Sequence, residues 1–131
     1  MVELEKYIKE LGEDCVFDDF SIKETQMKLP AIKHKWVGRL VTHKKILYSL
    51  KDKKKKIMKK LVDKVRDTNA YKVSIPAAEK ACENHDSVAK INEDIREHEL
   101  IVEFIEKCER VLSSMTYDMK NLVELMKLET L

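Results

Sequence analysis

From Val88 to Met126 one row of side chains recurs in steps of three and four: Val88, Ile91, Ile95, His98, Val102, Ile105, Cys108, Leu112, Met115, Met119, Leu122 and Met126. Only the step from Ile105 to Cys108 departs from strict alternation. A helix places residues so spaced on one face, whereas a strand needs period two, so this stretch is read as one long helix starting at Asp86 or Ser87, either a sensible N-cap. The rest of the chain agrees. Its 131 residues include two glycines and two prolines, too few for an architecture of many turns, and it is rich in Glu, Lys, Leu, Met and Ala, which favour helix. The expected class is all-α, within a single helical domain of residues 1–131.

Upstream, Val2, Leu4, Tyr7, Ile8 and Leu11 share a face, and Gly12 stands where a helix stop is expected. Ser21-Ile22-Lys23-Glu24 has the spacing of a capping box. It predicts a second short helix, with residues 1–29 forming short helices and Pro30 marking the boundary. From Ala31 to about Asp67, Trp36, Leu40, Leu47, Leu50, Ile57 and Leu61 keep a seam if His43 and Lys54 count as interruptions. The expected fold is therefore two long helices, about 31–67 and 86–129, in a helical hairpin with short N-terminal helices. Residues 68–85 form the connector, in which Ala77 to Glu83 suits one or two helical turns.

The net charge of +2 conceals a segregation. Lys33 to Arg66 carries 14 bases and two acids, Asp52 and Asp63, while residues 1–32 sum to −4 and residues 79–131 to −6. Such an uneven distribution speaks to partners, since evenly mixed charge would serve solubility as well.

Lys53, Lys54, Lys55 and Lys56 are consecutive and ring one full helical turn, so no face of that turn suits an apolar core. Lys51 with Lys55, Lys55 with Lys59 and Lys56 with Lys60 are like-charge neighbours at i,i+4, each costing a few tenths of a kcal/mol unless an anion offsets them. A single nucleic-acid strand supplies such anions, and lysine, a point charge, binds phosphate without reading base edges as arginine does. The nucleic-acid-binding residues are expected to be Lys44, Lys45, Tyr48, Lys51, Lys53, Lys54, Lys55, Lys56, Lys59 and Lys60. Tyr48 flanks the seam and suits base stacking; Trp36 lies on the seam and suits a core. A solvated face is the ordinary reading of a charge run, but one Asp between Lys33 and Lys60 is fewer acids than such faces carry. An acidic protein partner of a helical scaffold, or RNA bound by an adaptor, fits the same pattern. A membrane surface fits less well, because no bulky apolar residues oppose Lys53 to Lys56.

Between Ile101 and Leu112 the apolar face of the last helix widens to include Phe104 and Val111, and near its end it takes in Val123, Leu125 and Leu128. One partner helix would leave much of that face wet. Residues 86–131 are accordingly expected to mediate self-association through Ile101, Phe104, Ile105, Cys108, Leu112, Met115, Met119, Leu122 and Met126.

Chemistry is not expected. With glycine only at 12 and 38, no Gly-rich phosphate loop can be written, which excludes a nucleotide-driven motor. Cys82 and His85 make half a zinc site, and Glu93, Asp94, Glu97 and Glu99 read as a solvated face, so neither metal nor cofactor nor small-molecule substrate is anticipated. Three widely spaced cysteines suit a reducing compartment, and neither a secretory leader nor a membrane span is apparent.

Val16-Phe17-Asp18-Asp19 followed by Pro30 and Lys35-Trp36, the lysines Lys44, Lys45, Lys54, Lys55 and Lys59, and the stretch from Ser87 to Glu129 together resemble the UvsY family, the recombination mediators of T4-like bacteriophages. The resemblance covers nearly the whole chain. It implies a non-enzymatic protein that binds single-stranded DNA, contacts the phage single-strand-binding protein and helps load a RecA-like recombinase, in phage recombination, repair and replication. It also implies a ring-like hexamer or heptamer joined through the C-terminal helix, in the cytoplasm of an infected bacterium. The family's basic motif maps onto Met58-Lys59-Lys60-Leu61, where Lys59 matches and an arginine is replaced by Lys60 or by Leu61, depending on the alignment.

Overall fold

The computed structural model describes residues 2–69 and 72–130. Four helices follow in order, α1 (Val2–Asp14), α2 (Ile22–Thr68), α3 (Ile75–Cys82) and α4 (Asp86–Glu129), with no strand among the described residues. They pack as two units, Met1–His43 with Leu100–Leu131, and Lys44–Glu99, so each long helix contributes to both. Within the expected connector, positions 70 and 71 lie outside the described residues.

In the first unit, α1 contributes Leu4, Tyr7 and Leu11, α2 contributes Leu29 and Trp36, and α4 contributes its seam from Ile101 to Met119. Each buried aliphatic side chain contributes about 1.5–3 kcal/mol, which is what holds three helices together. Trp36 is 2% exposed. Tyr7 and Phe104 meet it edge-on, with centroids at 5.5 and 6.3 Å, and its indole N–H donates to Asp14 at 2.9 Å. His43 occupies a seam position because a polar group from α1 meets it there: its Nε2 lies 3.0 Å from the Tyr7 hydroxyl.

Three features differ from the sequence expectation. Gly12 does not stop α1, which runs on to Asp14; its φ is not positive, so it is an ordinary helical residue in open space. Ser21 immediately precedes α2 as expected, but its side chain bonds backward into the preceding turn. Asp18 accepts from the amides of Phe20 and Ser21 while the Ser21 hydroxyl accepts from the Asp18 amide, a reciprocal box built on Asp18. Finally, Pro30 lies inside α2 and does not divide it. A proline interior to a helix costs about 3 kcal/mol through a lost hydrogen bond and a clash. Here Ile22, Leu29, Ile32 and Trp36 all join the same core, so breaking the helix at Pro30 would forfeit packing on both sides of it.

The polar edge of this unit is acid-sensitive. Arg39 donates to both carboxylate oxygens of Glu10, at 2.6 and 3.0 Å, and Lys35 adds a contact at 3.3 Å. The Arg39 hydrogen bonds hold the Glu10 carboxyl below its ordinary value of 4.5, against the opposing effect of burial. A depressed folded-state pKa stabilises the fold above the unfolded value and is lost as pH falls through the folded one. Thermal unfolding of Glu10→Gln is therefore expected to lose less midpoint temperature than the parent between pH 6 and pH 3.

In the second unit, Val62 of α2 packs with Ala78 and Cys82 of α3, bordered by Met58, Leu61, Val65 and Val73. Val88, Ile91 and Ile95 of α4 are buried as well. Helix α3 starts where Ser74 accepts the Ala77 amide, with Pro76 in the first turn. Arg66 ties the preceding loop by donating to the Val73 carbonyl at 3.1 Å.

Candidate nucleic-acid interface

The basic stretch of α2 separates into cations already engaged and cations that are not. Lys35 and Arg39 are engaged: both contact Glu10, Lys35 also reaches Asp14 at 2.6 Å, and the Arg39 guanidinium lies 4.7 Å from the ring centroids of both Tyr7 and Trp36. They belong to the α1–α2 contact. Lys44 is half-buried and has a partner within the protein. Lys51 stands 3.7 Å from Glu99, with both side chains about half exposed, a pairing that water screens to little net worth.

The remaining lysines differ in kind. Lys45, Lys53, Lys55, Lys56, Lys59 and Lys60 are exposed, Lys54 is half-buried, and among the described residues none of these seven forms an ion pair. Tyr48 is 57% exposed, whereas Trp36 is enclosed, which leaves Tyr48 as the aromatic beside the lysines with an open ring.

Helical phase divides the cluster into two stripes. Lys51, Lys54, Lys55 and Lys59 line a groove of about 750 Å³ in the second unit, as does Arg66. Lys53, Lys56 and Lys60 stand roughly half a turn away, at about 100° per residue, and none of them lines that groove. The floor is apolar, formed by Met58 and Val62 of α2, Ile75 of α3 and Ile95 of α4. Asp63, Glu79 and Glu99 supply carboxylates to the same walls. Sequence reasoning found the lysines but not the groove, because Ile75, Glu79 and Ile95 come from two other helices. The adjacent apolar positions Met58 and Val62, off the expected seam, were the available signal.

A family model described as "Recombination, repair and ssDNA binding protein UvsY" matches residues 10–130. The chain belongs to the UvsY family. That membership puts it among recombination, repair and single-stranded-DNA-binding proteins. The crystal structure of the bacteriophage T4 recombination mediator protein UvsY resembles it with a TM-score of 0.84 at 17% identity, over 96% of this chain and 98% of that one. At such identity the likeness speaks for the fold, an all-α UvsY fold with two long helices. No curated protein matches this sequence significantly.

The expected self-association residues of this UvsY-family chain are distributed unevenly. Ile101, Ile105, Cys108, Leu112, Met115 and Met119 are buried in the first unit's own core, and Phe104 is packed against it. Leu122 and Met126 are half-buried. The large apolar side chains left open on α4 are Leu100, Val111, Tyr117, Val123, Leu125 and Leu128, of which Leu125 and Leu128, at the helix end, are 57% and 65% exposed.

Among the described residues no cluster of three or more metal-ligating side chains occurs. Cys82 is buried, while His85 is exposed and engaged with Ser87 at 2.7 Å. Burial pushes the Cys108 thiol up to about 11, which suits a packing role and not a nucleophile. No helix among the described residues is long and apolar enough to cross a membrane.

Proposed function

We propose that the chain is a non-enzymatic recombination mediator whose assembled copies hold single-stranded DNA along the Lys53–Lys60 turns of α2 and help load a RecA-like recombinase onto DNA covered by single-strand-binding protein. The observation that carries this reading is the row of exposed lysines without an ion-pair partner among the described residues. Like charges so close destabilise their own helix, and closely spaced phosphates reverse that cost.

Affinity per protomer is modest, and assembly multiplies it. Several copies in a ring of six or seven raise the effective concentration of sites, so a strand held by one copy is captured by the next. A strand so wrapped is held in a path that competes with its single-strand-binding protein. Energy for recombinase loading comes from the partners. The setting is a phage-infected bacterial cell, with the recombinase and the single-strand-binding protein as macromolecular partners.

The open end of α4 is the surface that supports self-association, since Leu125 and Leu128 are not needed by the protomer core. Replacing both with Glu is expected to lower the native mass by light scattering while helicity is retained. Binding of a long oligonucleotide then weakens more than tenfold through lost avidity. An unchanged mass excludes this surface. Titrating the parent against single-stranded DNA, duplex DNA, RNA and an acidic polypeptide at two salt concentrations tests the ligand itself, the single strand being expected to bind tightest.

A further inference from the structure

The lysines account for phosphates, but the groove beside them is larger and more apolar than phosphates need. We propose that the groove lined by α2, α3 and α4 in the second unit receives nucleobases of the bound single strand, so that the chain holds bases as well as backbone. This rests on the single-strand reading above and names what the strand places there.

Three observations support it. At about 750 Å³ the groove falls within the range of sites that enclose organic ligands, roughly 300–1,000 Å³. Its floor of Met58, Val62, Ile75 and Ile95 offers branched methyls and a thioether, surfaces suited to the flat faces of unstacked bases. Its rim on α2 is Lys51, Lys55 and Lys59, at successive turns, so a backbone following that rim keeps its bases within reach of the floor.

The carboxylates decide between a nucleobase and an acidic, apolar peptide, which would also suit lysines over an apolar floor. Asp63, Glu79 and Glu99 stand in the same walls. They repel a peptide's carboxylates, whereas they accept hydrogen bonds from the exocyclic amines and ring N–H groups of bases. Tyr48, three residues before Lys51 and on its face, extends the platform with an exposed ring. The groove thus offers cations, apolar surface and acceptors, matching phosphate, base face and base edge.

The test compares oligo(dC) with an abasic oligonucleotide of equal length, by anisotropy at several salt concentrations on the full chain. Both carry the same phosphates, so a purely electrostatic site binds them equally. The expected result is abasic binding on the order of tenfold weaker with the same salt slope. Ile75→Gln, at a position 50% exposed, is expected to bring the two within about twofold of one another while leaving abasic affinity unchanged. Met58→Gln serves if the first variant loses helicity. Equal binding of the two ligands overturns the groove proposal and leaves the lysine reading standing. A base preference untouched by either variant but removed by Tyr48→Leu also overturns it, assigning the bases to Tyr48 alone. Failure of both ligands to bind at low salt overturns the groove and the single-strand reading together.

Discussion

Exchanging Lys55, Lys59 and Lys60 for alanine is expected to weaken binding of single-stranded DNA about a hundredfold per protomer at 0.1 M salt. Each lysine that neutralises a phosphate of a single strand contributes about 0.7 to the slope of log K against log salt. Three lost contacts flatten that slope by about 2, and near 0.1 M the same term is worth about two decades of affinity. The fold is not expected to suffer. All three side chains are exposed and take part in no ion pair among the described residues, and their removal relieves repulsion at i,i+4. Unchanged helicity with a flattened slope is the predicted pair of readings, by circular dichroism and anisotropy. Affinity within twofold of the parent would exclude these turns as the binding site. The two stripes refine the expectation, because Lys55 and Lys59 border the groove and Lys60 does not.

Glu at both Ile105 and Leu112 is expected to unfold the protomer and not merely to separate copies. These residues are 2% and 1% exposed within a core built by α1, α2 and α4 of one chain. A carboxylate placed there loses its hydration without a partner, and the apolar contacts of the replaced side chain go with it, at several kcal/mol per site. Against a domain stability of roughly 5–15 kcal/mol, two such changes remove most of the native population. Loss of the helical circular-dichroism signal and of cooperative melting at micromolar concentration is the predicted result. Full helicity in a monomeric double variant would mean that these side chains serve contacts between copies. The exposed pair Leu125 and Leu128 therefore probes assembly, and the buried pair probes the fold.

The class of the fold, the long helix α4 and the α4 seam were legible in the residue order, because periodicity is a property of one helix in isolation. Val88, Ile91, Ile95, Val102, Ile105, Cys108, Leu112, Met115 and Met119 are buried, while His98, Leu122 and Met126 of the same row are half-buried. The span of α2 was less legible. Pro30 and Gly12 are local signals of interruption, and both were overridden by helix segments whose apolar residues belong to one shared core. The run of lysines was plain in the chain, as was the acidity of the segments flanking it.

Which cations remain available was decided only by tertiary structure. Arg39 and Lys35 look like their neighbours in the sequence, yet acids 29 and 21 residues distant engage them, while Lys55 and Lys59 form no ion pair among the described residues. The groove has the same origin, since its walls come from three helices and no single helical period encodes it. Spacing along a helix sets which residues share a face; what that face meets depends on chain segments brought beside it by burial of apolar surface, and only folding specifies those.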